Sequence, residues 1–287
     1  MMKILITGGK GFLASRFKKR FEKEYEILAL GRKELDITDK KNVESKFQEF
    51  NPDIVIHTAA IADTGKCEND PELSYKINVE GSINVARACN SVNAKLVYMS
   101  SEQVYNGNEE SGPYNEEITP VPNTVYGKHK LKAEEEIKAI LAEVWILRLT
   151  WLFGMPERNL KVNSNILFNT IKHILSGEEF KEPVNEYRGM TYVYEIVENI
   201  QKLFSIPYGI YNTGSENDLS RYNVVEGILK ALGRDDLKVN KFNKDVERFK
   251  KKPRDLRISN LKLREQGIQF STTEEGILKA IKEYSLI

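Results

Sequence analysis

The chain has 287 residues, 40% of them hydrophobic, enough to bury a substantial core in one large domain or two modest ones. With 43 basic against 42 acidic residues, the formal net charge is +1, so no global field draws in nucleic acid or an anionic membrane and any anionic ligand must be met locally. The two cysteines, Cys67 and Cys89, lack CxxC spacing and the three histidines, His57, His129 and His173, are scattered, which argues against a disulfide framework or a zinc site.

The first residues, "MMKILITGG", run straight into a glycine-rich turn without the apolar stretch and small-residue cleavage site of a signal peptide. The most apolar later stretch, "AILAEVWILRLTWLF", is interrupted by Glu143 and Arg148 and is too short to span a bilayer. The expected location is the cytoplasm.

In chain order, short apolar runs rich in β-branched residues alternate with longer amphipathic stretches. "KILIT" precedes a helix from about Phe12, "EILAL" a helix over Lys40 to Phe50, and "DIVIHTAA" a helix over Pro71 to Asn90. "KLVYMSS" follows, then a polar loop, a helix beginning in "VYGKHKLKAEEE", and "EVWILRLTWLFG" as one more strand. This alternation predicts βαβ units and an α/β fold of the doubly wound Rossmann type, its parallel strands covered on both faces. After Gly154 the rhythm weakens into helices near Asn165 to Ser176 and Tyr194 to Phe204, a strand-like "GIYNTG" and two further helices. The expected division is a dinucleotide-binding domain over 1–154 and a smaller substrate-binding lobe over 155–287, interleaved with the first and laid over the carboxyl ends of its strands. The dense basic run "FKKKPRD" reads as a solvated loop. The last helix should bury one stripe through Ile277, Leu278, Ile281 and Tyr284.

Chemistry concentrates in two places. "ITGGKGFLAS" sets Gly8, Gly11 and Ala14 between the first strand and the first helix. Small residues there let the backbone approach a pyrophosphate, while the helix that follows offers free N–H groups and the positive end of its dipole. Lys10, Phe12 and Leu13 lie in the same turn and belong to the expected cofactor site. The second strand ends in Gly31 and Arg32, and an arginine at that strand end suits a 2′-phosphate. NADP(H) is therefore favoured, with NAD(H) second because Glu34 and Asp36 lie close by.

The second place is the start of the helix after the polar loop. Tyr126 and Lys130 stand four apart on one helix face, so the lysine ammonium can lie near the phenol. A nearby positive charge lowers a tyrosine pKa and makes the pair a plausible acid–base device. "VYMSSEQVY" ends the preceding strand with Ser100 and Ser101, and strand ends and helix starts converge at the carboxyl edge of such a sheet.

Together, "TGGKGFLA", "SSEQVY", "YGKHK" and "ILRLTWLFG" resemble the extended short-chain dehydrogenases/reductases, and in detail the dTDP-4-dehydrorhamnose reductases, over nearly the whole chain. The resemblance implies that Ser101 hydrogen-bonds a substrate carbonyl and that Tyr126 donates the proton. It gives Lys130 two roles, lowering the tyrosine pKa and binding the nicotinamide ribose. It also implies that Asp36 and Ile37 meet adenine, that Ala59, Ala60 and Ile61 pass beside the cofactor, and that Trp151, with Val104 and Tyr105 nearby, lines the substrate pocket. The implied reaction is NADPH-dependent reduction of a 4-keto nucleotide sugar by a monomer or homodimer, with no metal.

The match departs in two stretches. Glu102 and Gln103 stand where the reductases carry Asp and Tyr, and an amide at 103 cannot serve as the base of the related dehydratases. "VNEYRGMTYVYEIVENI" follows the reductase pattern only loosely; Lys252, Arg254 and Arg257 are candidates to hold a nucleotide diphosphate. Two other readings use the same residues: a nucleotide-sugar epimerase that retains NAD, and a non-catalytic NADP-binding regulatory subunit resembling the β subunit of methionine adenosyltransferase.

Overall fold

A computed structural model describes residues 1–286. Its first strands are β1 (Lys3–Thr7), β2 (Glu26–Leu30) and β3 (Ile54–His57), separated by α1 (Phe12–Phe21) and α2 (Lys40–Phe50). Then come α3 (Thr64–Asn69), α4 (Pro71–Tyr75), a π-helical turn (Lys76–Glu80) and α5 (Gly81–Ser91). β4 (Lys95–Ser101) leads through a 3₁₀ turn (Glu102–Tyr105) and a loop to α6 (Val125–Ile140) and β5 (Val144–Leu149).

Strands β1 to β5 pair in parallel. The chain steps outward from β1 to β2, then returns to place β3 on the other side of β1. That reversal opens a crevice at the carboxyl ends of β1 and β3, the position at which open α/β sheets take ligands. Leu5, Val55, Leu96 and Ile146 point into a core closed by Val43 and Phe47 of α2, Val85 of α5 and Ile137 of α6. Burying side chains of this size is worth about 1.5–3 kcal/mol each.

Local chemistry explains the boundaries. Asp39 caps α2 by accepting the Asn42 N–H, and Asn51 ends it in the left-handed region at φ 47°. Thr124 caps α6 through the Gly127 N–H. The single helix expected over Pro71 to Asn90 is broken by the π-helical turn, where Asn78 exchanges two hydrogen bonds with the backbone of Ile61, at 2.9 and 3.0 Å.

The remaining elements are β6 (Trp151–Phe153), α7 (Ile166–Ser176), β7 (Phe180–Pro183), β8 (Glu186–Arg188), β9 (Met190–Tyr192), α8 (Val193–Leu203) and β10 (Gly209–Thr213). After them come α9 (Arg221–Ala231), α10 (Leu237–Asn240), β11 (Phe242–Asp245), β12 (Arg254–Leu256), α11 (Leu261–Glu265) and α12 (Thr273–Glu283). β10 joins the large sheet beside β5, whereas β6–β9, β7–β11 and β8–β12 form two-stranded sheets. The strand expected over "EVWILRLTWLFG" is thus two strands in different sheets. Two compact units result: residues 1–109, 116–149 and 200–211 make the first, and 110–115, 150–199 and 212–287 the second.

In α12, Ile277 and Ile281 are buried as expected, but Leu278 is half exposed. Position 278 lies one residue, or 100° of helix rotation, beyond 277, which turns it away from the packed face.

Trp145 is the largest fully buried side chain in the molecule. It packs between Phe204 and Tyr208 and donates its indole N–H to the Ile206 carbonyl at 3.2 Å. Trp145→Ala should lower stability by about 3–5 kcal/mol, read as a lower denaturation midpoint in urea.

Candidate active site

The glycine turn follows β1 directly. Gly8 has φ +67°, and a β-carbon on it would lie 2.8 Å from the Ala59 nitrogen, so any other residue would be strained and would push away the loop after β3. The Gly11 N–H closes the turn on the Gly8 carbonyl at 2.7 Å. Helix α1 then begins with no side-chain cap and no acidic residue in its first turn, which leaves its first N–H donors and its positive dipole end available to an anion. Phe12 and Leu13, which open the helix, are buried beneath it.

At the end of β2 the two acids that complicated the sequence reading have partners. Glu34 pairs with Lys10 at 2.6 Å, and the Lys10 hydrogen bond holds its carboxyl below the usual range. Asp36 accepts the Thr38 N–H and hydroxyl at 2.9 and 2.8 Å; these bonds lower its pKa, and Arg32 adds a smaller push in the same direction. Arg32 is exposed beside them, Ile37 is buried, and Ala59, Ala60 and Ile61 follow β3. The turn, the uncapped helix and Arg32 fit a dinucleotide bearing a 2′-phosphate, so NADP(H) is favoured and NAD(H) second.

Beneath this turn, Thr7 is hydrogen-bonded to His57 Nδ1 at 2.6 Å, and His57 Nε2 to Ser82 at 2.9 Å. Burial lowers the His57 pKa to about 3, so the ring stays neutral and ties β1, β3 and α5 together. Among the described residues no group of three or more His, Cys, Asp or Glu side chains is placed to hold a metal, and both cysteines are buried and free.

Ser101 is the last residue of β4 and Tyr126 and Lys130 lie on the buried face of α6. Gly127 permits the approach, since a β-carbon there would collide with the Gln103 carbonyl of the 3₁₀ turn. Burial raises the Tyr126 phenol above its usual range; Glu102 raises it further and a hydrogen bond with Ser101 opposes both. Ser101 also accepts the Gln103 N–H at 3.2 Å.

The Lys130 ammonium gives its hydrogen bonds to residues of β4. Its Nζ donates to the Met99 carbonyl at 2.6 Å and to the Tyr98 hydroxyl at 3.3 Å. It lies 4.6 Å from the centre of the Tyr98 ring and 5.9 Å from that of Tyr126. Burial lowers its pKa to about 8, against an opposing pull from Glu134.

Val104 and Tyr105 are fully buried in the 3₁₀ turn, and the Tyr105 hydroxyl is taken by Arg148 at 2.6 Å. In the second unit, Trp151 is half-buried with the Arg188 and Arg221 guanidiniums 4.8 and 5.1 Å from its ring. Those arginines and Arg254 surround the buried Glu186 at 3.3–3.7 Å. Arg257 is bound by Asp255 and Asp218, both at 2.8 Å, and donates to the Gly112 carbonyl, so it braces the fold. Lys252 is exposed. Tyr98, Glu134 and the arginines about Trp151 had not been singled out from the sequence. Only Glu134 left a local signal, at the next helical step after Tyr126 and Lys130.

The parallel sheet, the glycine turn after its first strand and the serine, tyrosine and lysine at β4 and α6 define an extended short-chain dehydrogenase/reductase, a class of NAD(P)-dependent oxidoreductases. The profile of the RmlD substrate binding domain matches residues 2–286, and the chain belongs to that family. It is 27% identical to the spore coat polysaccharide biosynthesis protein SpsK of Bacillus subtilis over 99% of both chains. With a dTDP-4-dehydrorhamnose reductase of Aggregatibacter actinomycetemcomitans it shares 30% identity over 78% of this chain and 76% of the relative. The crystal structure of a dTDP-4-dehydrorhamnose reductase from Bacillus anthracis in complex with NADP superposes with a TM-score of 0.87, at 28% identity and 99% coverage of both chains.

Two measurements follow from these contacts. Lys130 has a folded pKa of about 8 against an ordinary 10.5, so between those values the unfolded chain binds more protons and stability rises with pH. The stability of the wild type relative to Lys130→Met should therefore increase across that window, measured by denaturation at a series of pH values. Arg32→Ala should weaken NADPH binding roughly tenfold, about 1.4 kcal/mol, and leave NADH binding unchanged in fluorescence titration.

Proposed function

We propose that this protein reduces the 4-keto group of a nucleotide-activated sugar with NADPH, and that dTDP-4-dehydrorhamnose or a close analogue is the substrate. The observation that carries the reading is the placement of Ser101 as the last residue of β4 and of the buried Tyr126 at the start of α6, one helical turn from the buried Lys130, in a chain of the RmlD family.

When bound, NADPH supplies the hydride. The chain's own groups handle the oxygen that the hydride leaves behind. Ser101 and Tyr126 offer hydroxyl hydrogens to the carbonyl and stabilise the charge that develops there. The raised Tyr126 pKa keeps the phenol protonated at neutral pH, the form required of an acid in the reducing direction. Once the proton has left, the Lys130 ammonium offsets the phenolate charge. The first turn of α1 and Arg32 hold the phosphates of the dinucleotide. Gln103 at the 3₁₀ turn cannot exchange protons, which favours reduction over dehydration.

Trp151, flanked by Arg188 and Arg221, is an amphipathic surface suited to a sugar ring and the diphosphate it carries.

The test is the oxidation of NADPH and, in parallel, NADH by the purified protein with enzymatically generated dTDP-4-dehydrorhamnose. Rapid loss of reduced-nicotinamide absorbance with NADPH is expected. Cofactor binding without oxidation would reject this substrate. Tyr126→Phe should lower turnover by about a hundredfold or more while NADPH binding persists, and retention of most of the turnover would remove Tyr126 from the mechanism.

A further inference from the structure

Tyr126, Lys130 and Glu134 recur every four residues along the buried face of α6, and only the first two are used above. Glu134 is 1% exposed and Arg148, on β5, is 2% exposed. The two are joined through Nη2 at 2.7 Å and through Nε to both carboxylate oxygens at 3.1 and 3.2 Å. Ser100, next to Ser101 on β4, donates its hydroxyl to the same carboxylate. The far side of Arg148 donates to the Tyr105 hydroxyl. One carboxylate thereby ties the helix carrying Tyr126 and Lys130 to the end of β4, to β5 and to the 3₁₀ turn.

We propose that Glu134 is a positioning residue for the Tyr126–Lys130 pair, its carboxylate gripped by Arg148 and Ser100 so that α6 is locked against the ends of β4 and β5. The inference rests on the reading of Tyr126 and Lys130 as the working pair. Four charge-assisted bonds fix the rotation of the helix about its axis, and with it the height of both side chains relative to Ser101. The same negative charge, one turn from Lys130, keeps the buried lysine protonated against desolvation. The other groups that act on Lys130 are Cys67 from α3, His57 from β3, Tyr98 from β4 and Tyr126 on its own helix. Cys67 and Tyr98 have raised pKa values, chiefly through burial, and His57 is neutral, so among these groups Glu134 is the one whose charge favours the ammonium.

Glu134→Gln keeps the shape and one acceptor oxygen and removes the charge. Lysine side-chain NMR follows Lys130 directly, assigned by the signal lost in Lys130→Arg, and NADPH oxidation is followed across the pH range. In Glu134→Gln the Lys130 midpoint and the alkaline limb of turnover should move together to lower pH by about one unit, and Glu134→Asp should bring both back. A lower melting temperature with the midpoint and the limb unmoved would reduce the pair to packing and overturn the proposal. If Glu134→Gln does not fold, Glu134→Gln combined with Arg148→Gln leaves no lone buried charge and tests the positioning itself: a fall in kcat with the KM for NADPH unchanged supports the proposal, and wild-type kcat overturns it. The NMR titration needs no sugar, so it judges Glu134 even if dTDP-4-dehydrorhamnose is not turned over. Full turnover by Lys130→Ala would instead reject the working pair.

Discussion

Glu134 and Arg148 are both removed from water within the first unit, and a buried charge is tolerated only when its partners are held in place. That condition constrains every neighbour. Ser100, next to the end of β4, must face the carboxylate, Tyr105 must turn its hydroxyl inward, and α6 must present the same face at 126, 130 and 134. A fully apolar core could accept small rotations of α6 at little cost, because dispersion contacts are not directional. A carboxylate with its donors fixed by three other elements cannot. The rigidity of the site thus comes from electrostatics and the bulk of the stability from the apolar layers around the sheet.

Lys130 shows the cost of placing a charge in such a site. Its ammonium is buried and its affinity for a proton is lowered, yet the Met99 carbonyl, the Tyr98 hydroxyl and the Tyr98 ring all favour the charged form. Tyr126 is shifted the opposite way, toward its neutral form. An acid kept protonated beside a lysine near its titration point is an arrangement that burial creates and that exposed side chains could not maintain. Such placement opposes maximal stability, as is common where function requires desolvated charge.

The second unit handles charge in another way. Glu186 lies beneath Arg188, Arg221 and Arg254, and Glu182 takes Arg221 at 2.6 Å, so the arginines are held side by side without repelling one another apart. Burial raises Glu182 while the arginines hold Glu186 below its usual range. Two of these guanidiniums cover Trp151. The cluster is spread over β7, β8, α9 and β12, which is why no contiguous stretch of sequence announced it.

What the sequence determined by itself was whatever depends on neighbours along the chain. Strand–helix alternation made the parallel sheet legible, small residues at Gly8 and Gly11 marked the tight turn between β1 and α1, and the spacing of Tyr126 and Lys130 put them on one helix face, because helical and strand periods are local properties of the backbone. Tertiary structure decided everything set by groups distant in sequence. It sent the Lys130 ammonium to Met99 and Tyr98, occupied Glu34 with Lys10 and Tyr105 with Arg148, and divided one apolar run between β5 and β6. It also opened a π turn at Asn78 to hold the Ile61 backbone and left Leu278 outside the buried stripe of α12. Hydrogen bonds and desolvation act through space, and their balance at a buried side chain exists only once the chain has folded around it.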